Sequence, residues 1–243
     1  MCIEFELRPL DEVRPWGDDE TGQYLHWFAL TDGRYDVAVD GHHVFQVAGE
    51  SGGVAYHVGQ LWDDLIDVAP FALREIPDAL ADRIDNPGWA EWVASAWERS
   101  DSYELAEVAL GWWGRRQLHA QHLRAAPRLD LWTHRGVLHV HWFSPQRRAG
   151  DPVWASPAGK ASVPAAQFRD ALVAFDHALM AQTGERIEQI ARGWSRTDVG
   201  VDIAMLRHEH AERMTWLDKA HAFPVDQALP PWHETLAALD QLR

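Results

Sequence analysis

The sequence predicts an α+β protein, with an N-terminal antiparallel β-meander, a helical middle, a central β-hairpin and a helical C-terminal third. Three observations carry this expectation. Apolar residues alternate strictly at the start and again near residue 140, turn signals separate those short runs, and apolar stripes of helical spacing fill the rest.

Ile3, Phe5 and Leu7 alternate with Glu4, Glu6 and Arg8, the period-two pattern of a half-buried strand that Pro9 and Pro15-Trp16-Gly17 close. Tyr24 to Leu30 reads as a second strand, followed by the Asp32-Gly33 turn signal. Tyr35, Val37 and Val39 alternate in a third strand, and after Asp40-Gly41 a fourth returns over His43 to Val47. The loop Ala48 to Gly53 lacks phosphate-loop spacing and a following Lys, which excludes nucleotide binding there.

Helices are expected from about 58 to 120. Leu61, Leu65 and Ile66 mark one; Trp89, Trp92, Val93, Ala96 and Trp97 mark another, with Pro87 near its start. Asp101 and Glu104 resemble a capping box before the stripe Leu105, Val108, Ala109 and Trp112. The runs 129–132 and 137–143 flank a turn at 133–136, a hairpin, and 145–158 reads as irregular chain containing Arg147, Arg148 and Trp154. Ser162 and Pro164 open a helix through Phe168, Leu172, Phe175 and Leu179 that Gly184 stops, and Ile187 to Trp194 form a successor. Asp202 caps a further helix, and Pro230-Pro231 opens the last. No repeat or long linker divides the 243 residues, so the expectation is one domain over 1–243.

Hydrophobic residues make up 47% and charged residues 24%, values of a globular chain. Cys2 is the only cysteine, which excludes an intramolecular disulfide and a thiolate zinc cage. No signal-peptide pattern and no 18-residue apolar run occur, so the expected location is the cytoplasm.

The net charge of −15 is unevenly placed: residues 1–110 hold 23 Asp and Glu against 6 Arg and no Lys, and residues 111–243 hold 14 against 16 Lys and Arg. Such a first part repels nucleic acid and attracts cationic partners, unless its acids serve only solubility. Asp18, Asp19, Glu20, Asp63, Asp64 and Asp67 are its candidate contact residues for a basic partner. Asp63 and Asp67 also share a helical face, where two carboxylates suit acid–base work or a metal, though one pair among so many acids is weak evidence.

Arg115, Arg116, Arg124 and Arg128, with His119 and His122, form a basic stretch suited to a carboxylate or phosphate, or to pairing with the chain's own acids. His139 and His141 project from one strand face, and His208 and His210 lie in a predicted helix; together these four are candidate ligands for a divalent metal. No His-Glu-x-x-His motif occurs. Most of the 14 Trp are expected in the core, with Trp16, Trp154 and Trp232 left for contacts.

The string Tyr24-Leu25-His26-Trp27-Phe28-Ala29-Leu30-Thr31-Asp32-Gly33-Arg34-Tyr35, with Arg8-Pro9-Leu10 and Pro15-Trp16-Gly17 before it, resembles the N-terminal signature of a bacterial family known only as a domain of unknown function. Leu61-Trp62-Asp63-Asp64-Leu65, Ala126-Pro127-Arg128, Phe175-Asp176 and Leu206-Arg207-His208-Glu209-His210 extend the similarity over most of the chain. Members often carry Trp where this chain has Arg34. The resemblance implies a single bacterial domain and brings no activity, ligand or catalytic residue.

The charge split and the lack of catalytic motifs together lead to a non-enzymatic binding protein, an immunity or antitoxin-like inhibitor that masks a basic protein through its acidic first part. Two rivals stand beside it: a metal-dependent enzyme using His139, His141, His208 and His210, and an anionic small-ligand sensor using the arginine stretch.

Overall fold

Alternation in the first residues does build a strand, but its partner lies thirty residues on. In the computed structural model, which describes residues 1–18, 22–86, 88–99, 103–144 and 148–242, β1 (Cys2–Leu7), β2 (Trp16–Asp18), β3 (Gly22–Leu25), β4 (Asp32–Val39), β5 (His42–His43) and β6 (Val54–His57) precede a helical stretch. That stretch comprises α1 (Val58–Leu73), α2 (Asp78–Ile84), α3 (Trp89–Arg99) and α4 (Tyr103–Gly114). A central sheet follows, from β7 (Gln117–Leu118), β8 (Arg128–His134), β9 (Val137–Phe143) and β10 (Ala158–Pro164). After α5 (Ala165–Arg192) and β11 (Val199–Val201), the chain ends in α6 (Ile203–Arg213), α7 (Trp216–His221), α8 (Val225–Ala228) and α9 (Trp232–Gln241). The α+β class predicted from the sequence is the one observed.

In the first sheet β1 pairs antiparallel with β4, Ile3 opposite Val37 and Phe5 opposite Tyr35, while β5 and β6 share the other edge of β4. The expected second strand ends at Leu25. β3 leaves for a small sheet with β2 and, in parallel, β11. The reason lies in the next residues, which turn to bury Trp27 and Leu30 completely. His26 Nδ1 accepts the Phe28 N–H at 3.1 Å, and the Thr31 hydroxyl donates to the Phe28 carbonyl at 2.8 Å while accepting the Gly59 N–H at 3.0 Å. These bonds fix a turn where alternation suggests extended chain.

The central sheet runs β10-β9-β8-β7. Its hairpin closes on Arg135-Gly136 at φ 51° and 74°, a two-residue turn with both residues left-handed. Glu75 holds that turn from outside: its carboxylate accepts the N–H groups of Arg135 and Gly136, each at 2.7 Å.

Two expectations fail nearby. Residues 158–164 are a strand that the sequence reading placed partly in loop and partly in helix. Gly184 is no stop, because α5 runs 28 residues straight through it. An added Cβ at Gly184 would sit 3.0 Å from His210 Nε2, so the glycine serves close approach of α6. Asp202 caps α6 as expected, its Oδ1 accepting the Met205 N–H at 2.9 Å. Pro87, Asp101, Arg147 and the Trp97 side chain fall outside the described residues.

The core has two buried clusters. The larger joins β1, β4, α1, the central sheet and α5; the smaller lies under α2–α4 and α9 and is dominated by Trp89, Trp112, Trp113 and Trp132. Trp16 is exposed as expected, but Trp154 is buried and donates to the Ala125 carbonyl at 2.6 Å. Trp232 is covered by the Arg74 guanidinium at 4.1 Å.

Gly59 shows how tightly the large cluster closes. A Cβ there would meet Trp27 Cζ3 at 2.7 Å and Thr31 Oγ1 at 2.9 Å, both held in the core, whereas nothing lies within 4 Å of a Cβ at Gly114. Chemical denaturation is expected to show Gly59→Ala destabilised by about 1–3 kcal/mol and Gly114→Ala unchanged or slightly more stable. Equal effects at the two sites would contradict this packing.

Candidate functional site

Two helices and one loop enclose a cleft of about 940 Å³, within the size range of small-molecule sites. From α1 it receives Gln60, Asp64, Asp67 and Phe71, spaced to fall on one helical face while Leu61, Trp62 and Leu65 turn to the core. From α7 and the residue two beyond it come Trp216, Lys219, Ala220 and Phe223, again one face. The segment from Gly114 to His122 closes the third side with Arg115, Gln117, His119 and His122.

Cations and aromatic rings alternate around the walls. The Arg115 guanidinium lies 5.6 Å from the Phe71 ring, and Phe71 meets Phe223 at 5.6 Å between centroids. Among the described residues no carboxylate comes within ion-pair distance of Arg115 or Lys219, both exposed, whereas ten other arginines have one.

The carboxylates of α1 are displaced from ordinary behaviour. Burial, then the charges of Asp63 and Asp67, push the Asp64 carboxyl up to about 7. Burial raises Asp63 to about 6 against the opposing pull of Arg213, and raises Asp67 against the pull of Arg115. Asp64 Oδ2 lies 3.5 Å from His122 Nδ1, and it is removed from solvent with no hydrogen-bond partner. Burial, then the neighbouring His57, pulls His122 down to about 4. A neutral imidazole beside a half-protonated carboxyl is a polar contact and no salt bridge. On its other side His122 Nε2 meets the buried Tyr35 hydroxyl at 2.6 Å, and Tyr56 lies against the ring at 4.8 Å.

The residues singled out from the sequence are dispersed. Asp18 belongs to β2, and Asp19 and Glu20 lie outside the described residues. Asp63 accepts from Arg213 at 3.0 Å, and Asp64 and Asp67 face the cleft. Other N-terminal acids are satisfied internally: Asp32 pairs with Arg8 at 3.0 Å, and Asp36 accepts the N–H groups of Val37 and Phe45.

The four arginines do not make one patch. Arg115 lines the cleft, but Arg116 is fully buried, donates to the Trp112 carbonyl at 2.7 Å and lies over Trp112 and Trp232. Arg124 pairs with Asp151 at 3.2 Å and Arg128 with Asp130 at 3.1 Å, the self-pairing use of charge.

The histidines likewise part. His139 and His141 share a face, as strand alternation requires, but they flank the Trp132 ring at 5.3 and 4.6 Å. His208 is exposed beside Glu212, and His210 Nδ1 accepts from Trp27 Nε1 at 3.3 Å. Among the described residues no three His, Cys, Asp or Glu side chains gather as metal ligands, so these four are not brought together. Tyr35, Phe71, Trp216, Lys219 and Phe223 were not singled out for the site, because nothing local joins them to Asp64.

A model of the family of unknown function DUF5984 matches residues 2–238, nearly the whole chain. The chain belongs to that family. No curated protein and no solved structure matches it. Among the described residues no helix is long and apolar enough to cross a membrane.

The raised Asp64 carboxyl gives a signed stability prediction. The folded state holds its proton up to about 7 while the unfolded chain releases it near 3.8, so this group's contribution is full below pH 3.8 and is lost as pH rises through 7. Asp64→Asn abolishes that loss. The melting temperature of the variant minus that of the wild type is therefore expected to grow between pH 4 and pH 8; a difference that stays constant or shrinks would contradict the placement of Asp64.

Proposed function

We propose that this member of DUF5984 is a cytoplasmic binding protein that takes a small organic anion in the α1–α7 cleft. One observation carries the reading: Arg115 and Lys219, unpaired among the described residues, stand beside Phe71, Trp216 and Phe223 in a cavity of about 940 Å³. Unpaired cations at the rim favour an anionic end, and the aromatic walls favour an apolar body. This sharpens the small-ligand alternative drawn from the sequence and reduces its arginine stretch to Arg115.

The test is a calorimetric and thermal-shift titration with small carboxylates, benzoate first. Benzoate is expected to raise the melting temperature, with about 2.7 kcal/mol of stabilisation at one hundred times its dissociation constant. Arg115→Ala combined with Lys219→Ala is expected to remove most of that gain. No response to any anion, or an equal response in the double variant, would overturn the reading.

A second reading keeps the basic protein partner of an immunity or antitoxin-like inhibitor. It is favoured by the acids that remain outward on the helical stretch: Asp82, Asp85, Glu91, Glu104 and Glu107 are all exposed. Opposed charge would speed association with a basic surface and make it salt-sensitive. Reversing these five charges is expected to abolish capture of a basic protein from a lysate of the source organism at low salt. Failure to recover any basic protein with the unaltered chain counts against this reading.

A further inference from the structure

The small-anion reading leaves open how a cleft with two carboxylates in its α1 wall tolerates an anion. The answer lies in the Tyr35–His122 pair behind that wall. Tyr35 is 0% exposed, and among the described residues the only partner of its hydroxyl is His122 Nε2 at 2.6 Å. A buried hydroxyl keeps its proton, as burial and the nearby Asp64 raise Tyr35 well above the usual phenol range, and that proton needs an acceptor. Tyr35 therefore donates to Nε2.

That bond sets the tautomer of a neutral imidazole: its single proton sits on Nδ1, which faces Asp64 Oδ2 at 3.5 Å. Oδ2 thus faces an N–H, although at that distance it accepts no hydrogen bond. The Asp64 side chain is 29% exposed while Oδ2 is out of solvent, so the part of the carboxyl open to the cleft is its Oδ1 edge. Any proton that Asp64 carries belongs on Oδ1.

Resting on the small-anion reading, we infer that Asp64 binds the ligand as a neutral carboxylic acid, donating from Oδ1 to a carboxylate oxygen of a compact organic acid. His122 and Tyr35 are positioning residues: the Nδ1–H that faces Oδ2 disfavours a proton there and leaves it on Oδ1, at the cleft. An acid facing a carboxylate shares one proton in a charge-assisted hydrogen bond; an ionised Asp64 would instead repel the same ligand. Arg115 and Lys219 are left to compensate the ligand's charge.

The charged groups around Asp64 come from four other elements besides its own. Asp63 and Asp67 lie on α1, Tyr35 on β4, Tyr56 and His57 on β6, Arg115, His119 and His122 on the 114–122 segment, and Lys219 on α7. Burial lowers His57 and His119, and lowers His122 to about 4, so His122 is neutral throughout the window from pH 6 upward. Asp63 is engaged by Arg213 at 3.0 Å. Asp63, at about 6 despite its bond to Arg213, and Asp67 remain as the competing sources of any pH dependence.

Benzoate, ionised throughout the window, is titrated calorimetrically at pH 6, 7 and 8 into the wild type, Asp64→Asn and Asp67→Asn. The wild-type dissociation constant is expected to rise about tenfold from pH 6 to pH 8, as the protonated share of an acid titrating at about 7 falls. Asp64→Asn, whose amide donates at every pH, is expected to bind at pH 8 within about twofold of its pH 6 value, and Asp67→Asn to keep the wild-type slope. Benzoate binding that Arg115→Ala weakens, with a slope unchanged in Asp64→Asn or removed by Asp67→Asn, overturns this inference and leaves the small-anion reading standing. If neither benzoate nor any other small carboxylate binds at any pH, both fall.

Discussion

Arg213 is the contact on which the cleft depends. The residue is 7% exposed, and its guanidinium lies 4.3 Å from the Trp27 ring, 4.5 Å from Phe28 and 4.7 Å from Trp216. Such a charge is tolerable only if its donors are satisfied, and two carboxylates do this: Asp63 on α1 and Glu209 on α6, each at 3.0 Å. One side chain therefore ties the N-terminal turn, α1, α6 and the start of α7 together. Trp216, stacked on Trp62 at 5.6 Å, is carried into place by the same junction, and Lys219 follows one helical turn later.

The junction also separates the roles of neighbouring acids. Asp63 faces Arg213 and is consumed in structure. Asp64, one residue on, rotates about 100° around the helix and reaches the cleft and His122. Asp67 then shares the wall with Arg115. Three carboxylates in five residues thus have three environments, and the large negative charge of the first 110 residues is in part an interior feature.

The fold was legible wherever local chemistry decides the backbone. The hairpin around residue 135, the Asp202 cap and the final helix after Pro230-Pro231 rest on contacts within a few residues, and the alternation at Ile3, Phe5 and Leu7 marks a strand even though its partner β4 lies thirty residues on. It was illegible where distant packing overrides them. The aromatic run from Tyr24 looks like a strand until Trp27 must fill a hole between α1 and α6. Gly184 looks like a helix end until α6 is seen to lie against it. For the site, Asp64, Asp67 and Arg115 were among the residues singled out, but for other reasons, and the four-arginine and four-histidine groupings dissolve. The cleft gathers residues 64, 115, 122 and 219, with Tyr35 behind its wall, and their separation leaves no periodic trace in the sequence.

Amide hydrogen exchange in Arg213→Met most directly tests whether this arginine holds the cleft together. Met keeps the apolar contacts with Trp27 and Trp216 while removing the charge that satisfies Asp63 and Glu209. Protection is predicted to fall selectively in α6 and α7, with the hairpin of β8 and β9 retaining its wild-type rates. Unchanged protection in α7, or an equal loss throughout the chain, would contradict the account.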